Sequence, residues 1–145
     1  MIEKTIRDIL DEKGSTVFTI DADSKVFAAL GELEGKNIGA LLVMDEQKIA
    51  GMFTERDYAR KVVLKGLSPH ETVVREVMTS LVNTTTLHET VEEAMAVMTD
   101  KRCRHLPVFD NNQLVGMVSI GDLVKAALDE KKFIINQLEN YIKNG

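Results

Sequence analysis

Two short stretches of this 145-residue chain carry the residue types needed to hold a phosphorylated sugar. One reads Gly51-Met52-Phe53-Thr54-Glu55-Arg56-Asp57, the other Gly116-Met117-Val118-Ser119-Ile120-Gly121-Asp122. In each, a hydroxyl residue precedes an aspartate by three positions, where an apolar run gives way to a helical pattern. That spacing makes Thr54 and Ser119 helix N-caps and sets Asp57 and Asp122 at N3, where a carboxylate favours the positive helix end. At one junction alone, plain capping accounts for the pattern. Finding it twice points further. A helix N-terminus offers free amides to an anion, and a hydroxyl there can donate to a phosphate. A carboxylate can accept from two neighbouring sugar hydroxyls, as the acidic residue of dinucleotide-binding folds does. Gly121 would let a ligand come close to the backbone. Arg56 either holds a phosphate bidentately or stands as a solvated arginine. Arg60 and Lys61, a turn on, are weaker candidates.

A second set of basic residues is asymmetric. Lys101-Arg102-Cys103-Arg104-His105 stands where the first half of the chain has Lys36-Asn37-Ile38-Gly39-Ala40. Lys101 and Arg102 read as a solvated turn. Arg104 and His105 abut the apolar run Leu106-Pro107-Val108-Phe109 and are expected to face a groove, where His105 would titrate near neutrality or sit hydrogen-bonded. No catalytic set accompanies them. His70 and His88 lie in polar connections without carboxylate or cysteine partners at ligand spacing, and no GxSxG, Walker-type loop or CxxC occurs. The expectation is a protein that is not an enzyme, with no metal site and no catalytic cofactor.

Composition narrows the partners. A net charge of −5 disfavours general nucleic-acid binding while leaving room for one anionic small molecule on a local basic cluster. No segment approaches the roughly 20 apolar residues that span a bilayer, and the N-terminus MIEKTIRDIL lacks the pattern of a signal peptide. Cys103 is the single cysteine, read as a small buried apolar residue in a reducing, cytoplasmic setting.

The elements that must position these residues come as a repeat. Residues 19–63 align without gaps on residues 84–128. Ten pairs are identical: Thr19/Thr84, Val26/Val91, Ala29/Ala94, Lys36/Lys101, Leu41/Leu106, Val43/Val108, Asp45/Asp110, Gly51/Gly116, Met52/Met117 and Asp57/Asp122. Upstream, Arg7-Asp8-Ile9-Leu10 resembles Arg75-Glu76-Val77-Met78. Each copy predicts a short strand, a helix, a β-hairpin and a second helix. In the first copy Ser24 is the expected cap of the first helix and Gly35 its stop; in the second, Thr90 and Glu93 make a capping box. The second helices are expected at about 55–65, ending on Gly66, and at about 120–130. Ser68, Pro69 and Glu71 predict a capped start for the segment leading into copy two. The boundaries follow: 1–68 for the first copy with its N-terminal helix, 69–130 for the second, and a helical tail over 131–145. Phe133, Ile134, Leu138, Tyr141 and Ile142 fall near one face of that tail, which would close the core or join a second subunit.

At GALLVMD, IAGMFTERDYARK, RHLPVFD and LVGMVSIGDLVK the chain resembles the tandem cystathionine-β-synthase (CBS) domain pair, or Bateman module, of the small bacterial type. The resemblance spans residues 5 to about 130. It implies an α/β fold of two pseudo-two-fold-related β-α-β-β-α motifs packed through their sheets, with a nucleotide cleft on each side, and a disc-shaped homodimer. It further implies an adenosyl ligand: AMP first, with ATP, NAD(H) or S-adenosylmethionine as alternatives. The ribose aspartate would be Asp57 or Asp122, the hydroxyl Thr54 or Ser119, and the phosphate-side residues Arg104 and His105. Arg56, Ile120, Gly121, Thr19 and Thr84 complete the expected clefts, with Gly39 and Ala40 as the departing counterparts in copy one. The expected function is a regulatory sensor that signals through the packing of subunits or of an unknown regulated partner. The alternative is an interaction or scaffold protein with vestigial clefts.

Overall fold

A computed structural model describes residues 3–80 and 82–144; Met1, Ile2, Leu81 and Gly145, the end of the expected tail, lie outside it. The order is α1 (Ile6–Lys13), β1 (Thr19–Asp21), α2 (Val26–Lys36), β2 (Ala40–Asp45), β3 (Lys48–Thr54), α3 (Glu55–Asp57) running into a π-helical stretch (Tyr58–Val63), α4 (Val74–Val77), β4 (Thr85–Thr86), α5 (Val91–Lys101), β5 (His105–Asp110), β6 (Gln113–Ser119) and α6 (Ile120–Asn144). The β-α-β-β-α order therefore holds twice. Two three-stranded sheets result, β1-β2-β3 and β4-β5-β6, each with a parallel first pair and an antiparallel second pair.

Local chemistry explains the turns. Glu46 and Gln47 (φ 48° and 69°) close the first hairpin, Asn111 and Asn112 (φ 50° and 65°) the second. Positive φ at both central residues gives the turn a twist that matches the paired strands. Asparagine suits that conformation better than glutamate or glutamine. Helix α2 ends on Asn37 in the left-handed conformation, so Gly35 is an interior helical residue and not the expected stop.

The chain divides into two compact units, residues 17–82 and residues 1–16 with 83–145. In the first, Val26, Ala29, Leu41, Val43, Phe53, Val62 and Val74 form a core. In the second, Ile6, Leu106, Val108, Val118 and Leu123 do so. Helix α1, grouped by chain order with copy one, thus belongs by packing to the unit of copy two. Likewise α4, expected to lead into copy two, packs in the unit of copy one. The two exchanges match residue for residue. Thr72 O accepts from Val26 N at 2.8 Å in one unit, as Lys4 O accepts from Val91 N at 3.0 Å in the other. Isolated bridges repeat the pattern, Lys25 with Val73 and Thr5 with Thr90.

This exchange corrects two expectations. Ser24 is not the cap of α2, because Thr72 O and Pro69 O (2.9 Å, from Phe27 N) take up the amides a cap would have satisfied. The N-cap is Lys25, with no side-chain bond. Ser68, in turn, starts no helix. Its hydroxyl accepts from His70 N at 3.3 Å within a turn, and α4 begins only at Val74. Helix α1 has a box of its own, Thr5 with Asp8. Burying its Ile6, Ile9 and Leu10 contributes about 5–9 kcal/mol before conformational entropy is set against it. Finally, α6 does not stop near residue 130 but continues as one 25-residue helix, since neither glycine nor proline interrupts it after Gly121.

Candidate functional site

Each unit holds a junction of the expected kind. In residues 17–82, strand β3 delivers Thr54 opposite Ala40, and Glu55 N donates to Gly39 O at 3.2 Å. In the other unit, β6 delivers Ser119 opposite His105, and Ile120 N donates to Arg104 O at 2.9 Å. Both hairpins therefore bring their first residues against the following helix N-terminus. Thr19, exposed on β1, pairs with Leu42 one strand away. Thr84 is exposed and lies just outside β4, which starts at Thr85.

The two aspartates share a capping box but differ around it. Asp57 is buried. Its Oδ2 accepts from Thr54 N at 3.0 Å and from the Thr54 hydroxyl at 3.2 Å, while Thr54 Oγ1 accepts from Asp57 N at 3.2 Å. Its Oδ1 accepts from the Thr79 hydroxyl at 2.9 Å and pairs with Lys61 Nζ at 3.1 Å. Both oxygens are thus taken by the chain itself.

Asp122 is more open. Its Oδ2 accepts from Ser119 N at 2.8 Å and from Lys13 Nζ at 2.7 Å, and Ser119 Oγ accepts from Asp122 N at 3.1 Å. Both bonds to the carboxylate fall on Oδ2; Oδ1 takes none among the described residues. Lys13 Nζ also donates to Met117 O at 3.0 Å. Burial acts to raise the Asp122 carboxyl, but the Lys13 ammonium and the Ser119 amide and hydroxyl together outweigh it and hold the group below its ordinary value.

His105 shares that environment. Burial pushes its imidazole below the ordinary value; Asp122 opposes the shift, while Lys13 and Arg104 add to it. The ring is therefore neutral at pH 7 and sits within the field of the carboxylate. Arg104 and Arg56 are exposed. Above Gly121, an added Cβ would meet only Ser119 Oγ, at 3.6 Å.

Some of this was invisible in the sequence. Lys61 lies one turn from Asp57, a spacing that can be read directly. Lys13 stands 109 residues from Asp122, and Thr79 lies 22 from Asp57; no local pattern announces either. His70, read as lying in a polar connection without carboxylate or cysteine partners, stacks on Phe27 with ring centroids 4.2 Å apart. Cys103 is half-buried rather than fully enclosed, and desolvation raises its thiol. No helix among the described residues is long and apolar enough to cross a membrane.

Comparison with known proteins adds the family. The CBS domain model matches residues 6–64 and 74–129. A mitochondrial CBS domain-containing protein of Arabidopsis thaliana, CBSX3, is 37% identical over 150 aligned positions, covering 97% of this chain and 73% of the relative. The crystal structure of the CBS domain protein NE2398 superposes with a TM-score of 0.83 at 46% identity, covering 88% of this chain and 99% of that one. The CBS pair of MJ0100, solved with 5-methylthioadenosine and S-adenosylmethionine, shares the fold with a TM-score of 0.77 at 24% identity, over 89% of this chain and 99% of that one. Twin junctions, matching sheets and a family model that returns on both halves have one explanation: the chain belongs to the CBS-domain family and is a tandem CBS pair, a regulatory module.

Proposed function

We propose that this chain is an adenine-nucleotide sensor, with AMP as its principal ligand and ATP or NAD(H) as alternatives, and that the Asp122 junction is its working site. One observation carries the choice of site: Asp122 keeps a free carboxylate oxygen at a helix N-terminus, with its other oxygen fixed by Lys13 and Ser119. The free oxygen accepts from the ribose hydroxyls, and the Gly121 amide faces the phosphate, with Arg104 and His105 beside it. Adenosyl ligands as a class gain support from the CBS pair of MJ0100, a likeness of fold only. Occupancy alters how subunits or a regulated partner pack, because a ligand signals through its differential affinity for two states. No step of this role calls on catalysis, and the single cysteine fits a cytoplasmic setting.

Calorimetry tests the assignment. Asp122→Ala should weaken AMP binding about 10- to 100-fold, the loss expected for hydrogen bonds to a charged group. Unchanged affinity would falsify the ribose role.

A second reading, a scaffold with vestigial clefts, draws on Asp57, whose oxygens are all engaged internally. Thermal-shift measurements with AMP, ATP, NADH and S-adenosylmethionine separate the two. A rise in melting temperature with one of them supports the sensor, and silence with all four supports the scaffold.

A further inference from the structure

The two aspartates are held by lysines that come from different places. Lys61, one turn on from Asp57, pairs with it directly. Its counterpart beyond Asp122 is Ala126, and the charge arrives instead from α1, as Lys13. The segments that cross the two hairpins part company here. After α4 the chain turns extended, and Thr79 exchanges two backbone bonds with Met52 on β3, at 2.9 and 3.0 Å. Helix α1 runs on where α4 stops, and it reaches Met117, the counterpart of Met52, through a side chain. Lys13 Nζ donates to Met117 O at 3.0 Å and to Asp122 Oδ2 at 2.7 Å. A backbone bridge fastens one segment; a lysine fastens the other.

That lysine carries much of the hold on the last turn of α1. A cleft of about 220 Å³ lies between this turn and α6, with Ile9 and Glu12 on one side and Lys125, Ala126 and Asp129 on the other. Glu12 meets Lys125 only at 3.6 Å with both side chains exposed, a pair worth little in water. The backbone ties sit at the opposite end of the helix, Ile6 N to Glu89 O at 2.9 Å and Arg7 N to Leu87 O at 3.1 Å. The chain leaves this unit after Thr16, so Lys13 stands at its exit.

A nucleotide acts on the same ammonium. With Asp122 Oδ1 accepting from the ribose and a phosphate at the Gly121 amide, negative charge gathers at the start of α6, where Lys13 ends. Alone, the ammonium faces one carboxylate; with nucleotide bound it faces a carboxylate and a phosphate. We propose that Lys13 is a positioning residue that couples the Asp122 site to the docking of α1, a role that rests on the nucleotide reading of that junction. Nucleotide fastens the last turn of α1, and a fastened α1 holds Asp122 for the nucleotide. Linkage makes the two effects equal in size. The phosphate supplies the added attraction, so AMP couples more strongly than adenosine.

Hydrogen exchange of the full chain, read by mass spectrometry on peptides covering residues 6–14, follows the docking of α1, and calorimetry follows affinity. Saturating AMP should slow exchange there about tenfold, an ordinary coupling between sites, and adenosine less than about threefold. Lys13→Met should bind AMP about tenfold more weakly and lose the slowing even at saturation. Lys13 is exposed and leaves the core untouched, so this variant keeps its fold. Lys13→Arg, which keeps the charge, should restore both effects. AMP binding that Asp122→Ala weakens, but that leaves exchange in α1 unchanged, overturns the coupling and leaves the site reading standing. An affinity indifferent to Lys13→Met does the same, as does equal slowing by adenosine. A chain that takes no nucleotide overturns both.

Discussion

Asp57 and Asp122 occupy the same position in two copies of one motif, yet they are set for different tasks. Asp57 holds together Thr54, Thr79 and Lys61. Replacing it by alanine leaves the half-buried Thr54 amide without its acceptor and the exposed Thr79 hydroxyl to water, at a cost of about 1–3 kcal/mol in unfolding free energy. Urea denaturation should show a lowered midpoint at constant slope, while AMP affinity should change less than in Asp122→Ala. Acidification offers a second residue-level test. His105 has a folded pKa below its unfolded one, so the unfolded chain binds the extra proton. Stability is then full above about pH 6.5 and falls as pH drops from there through the depressed folded value. Asp122, also depressed, gives way only lower, below about pH 4. Melting temperatures from pH 7.5 to 5 should therefore fall for the parent chain, and fall less for His105→Gln. The motif spelled out both aspartates and both caps because those contacts are local. It did not spell out Lys13, Thr79 or the inequality of the two sites, which arise from contacts that form only on folding.

Among the elements, the hairpins show how the exchanged segments fit. Gly51 and Gly116 are equivalent glycines on β3 and β6, and each is crossed by the segment that precedes the other copy. A Cβ at Gly51 would lie 2.4 Å from Thr79 O and 3.1 Å from Met78 Sδ; one at Gly116 would lie 2.7 Å from Leu10 Cδ1. Leu10 and Met78 were already paired by the upstream sequence similarity, so the fold gives that similarity a purpose. Backbone yields less than a flexible side-chain end. Gly51→Ala should thus cost about 3 kcal/mol, and Gly116→Ala about 1 kcal/mol, as read from chemical denaturation. Equal costs would contradict the crossings. Strands, helices and their order were legible from periodicity, because burial imposes it. The cap of α2 was not, since carbonyls from residues 69 and 72 replaced the side chain that local rules supply.

For the whole molecule, the exchange makes one unit continuous and the other not. Residues 17–82 form an uninterrupted unit, whereas the other needs both 1–16 and 83–145. A chain starting at residue 17 loses Ile6, Ile9 and Leu10 from a core that includes Leu106 and Val118. It should bind a hydrophobic dye and lose the cooperative unfolding of one unit. A peptide of residues 3–16 added in trans should restore both, and the same peptide with Leu10→Glu should not. A truncated chain as stable as the full one would show α1 to be dispensable. Family membership was legible from the motifs, but this division was not, because chain order assigns each connecting segment to the copy that follows it.

The discontinuity also sets a timetable for synthesis. Helix α1 leaves the ribosome before the rest of its unit, and the strand that receives Leu10 reaches Gly116 only about a hundred residues later. At ribosomal speeds of about 5–20 residues per second, its apolar face waits roughly 5–20 s for a partner. Residues 17–82 can close in the interval, since their core needs nothing made later. Glu3, Lys4, Arg7, Asp8, Asp11, Glu12 and Lys13 keep the waiting segment soluble. One of them, Lys13, is then the residue that fixes Asp122 once α6 arrives.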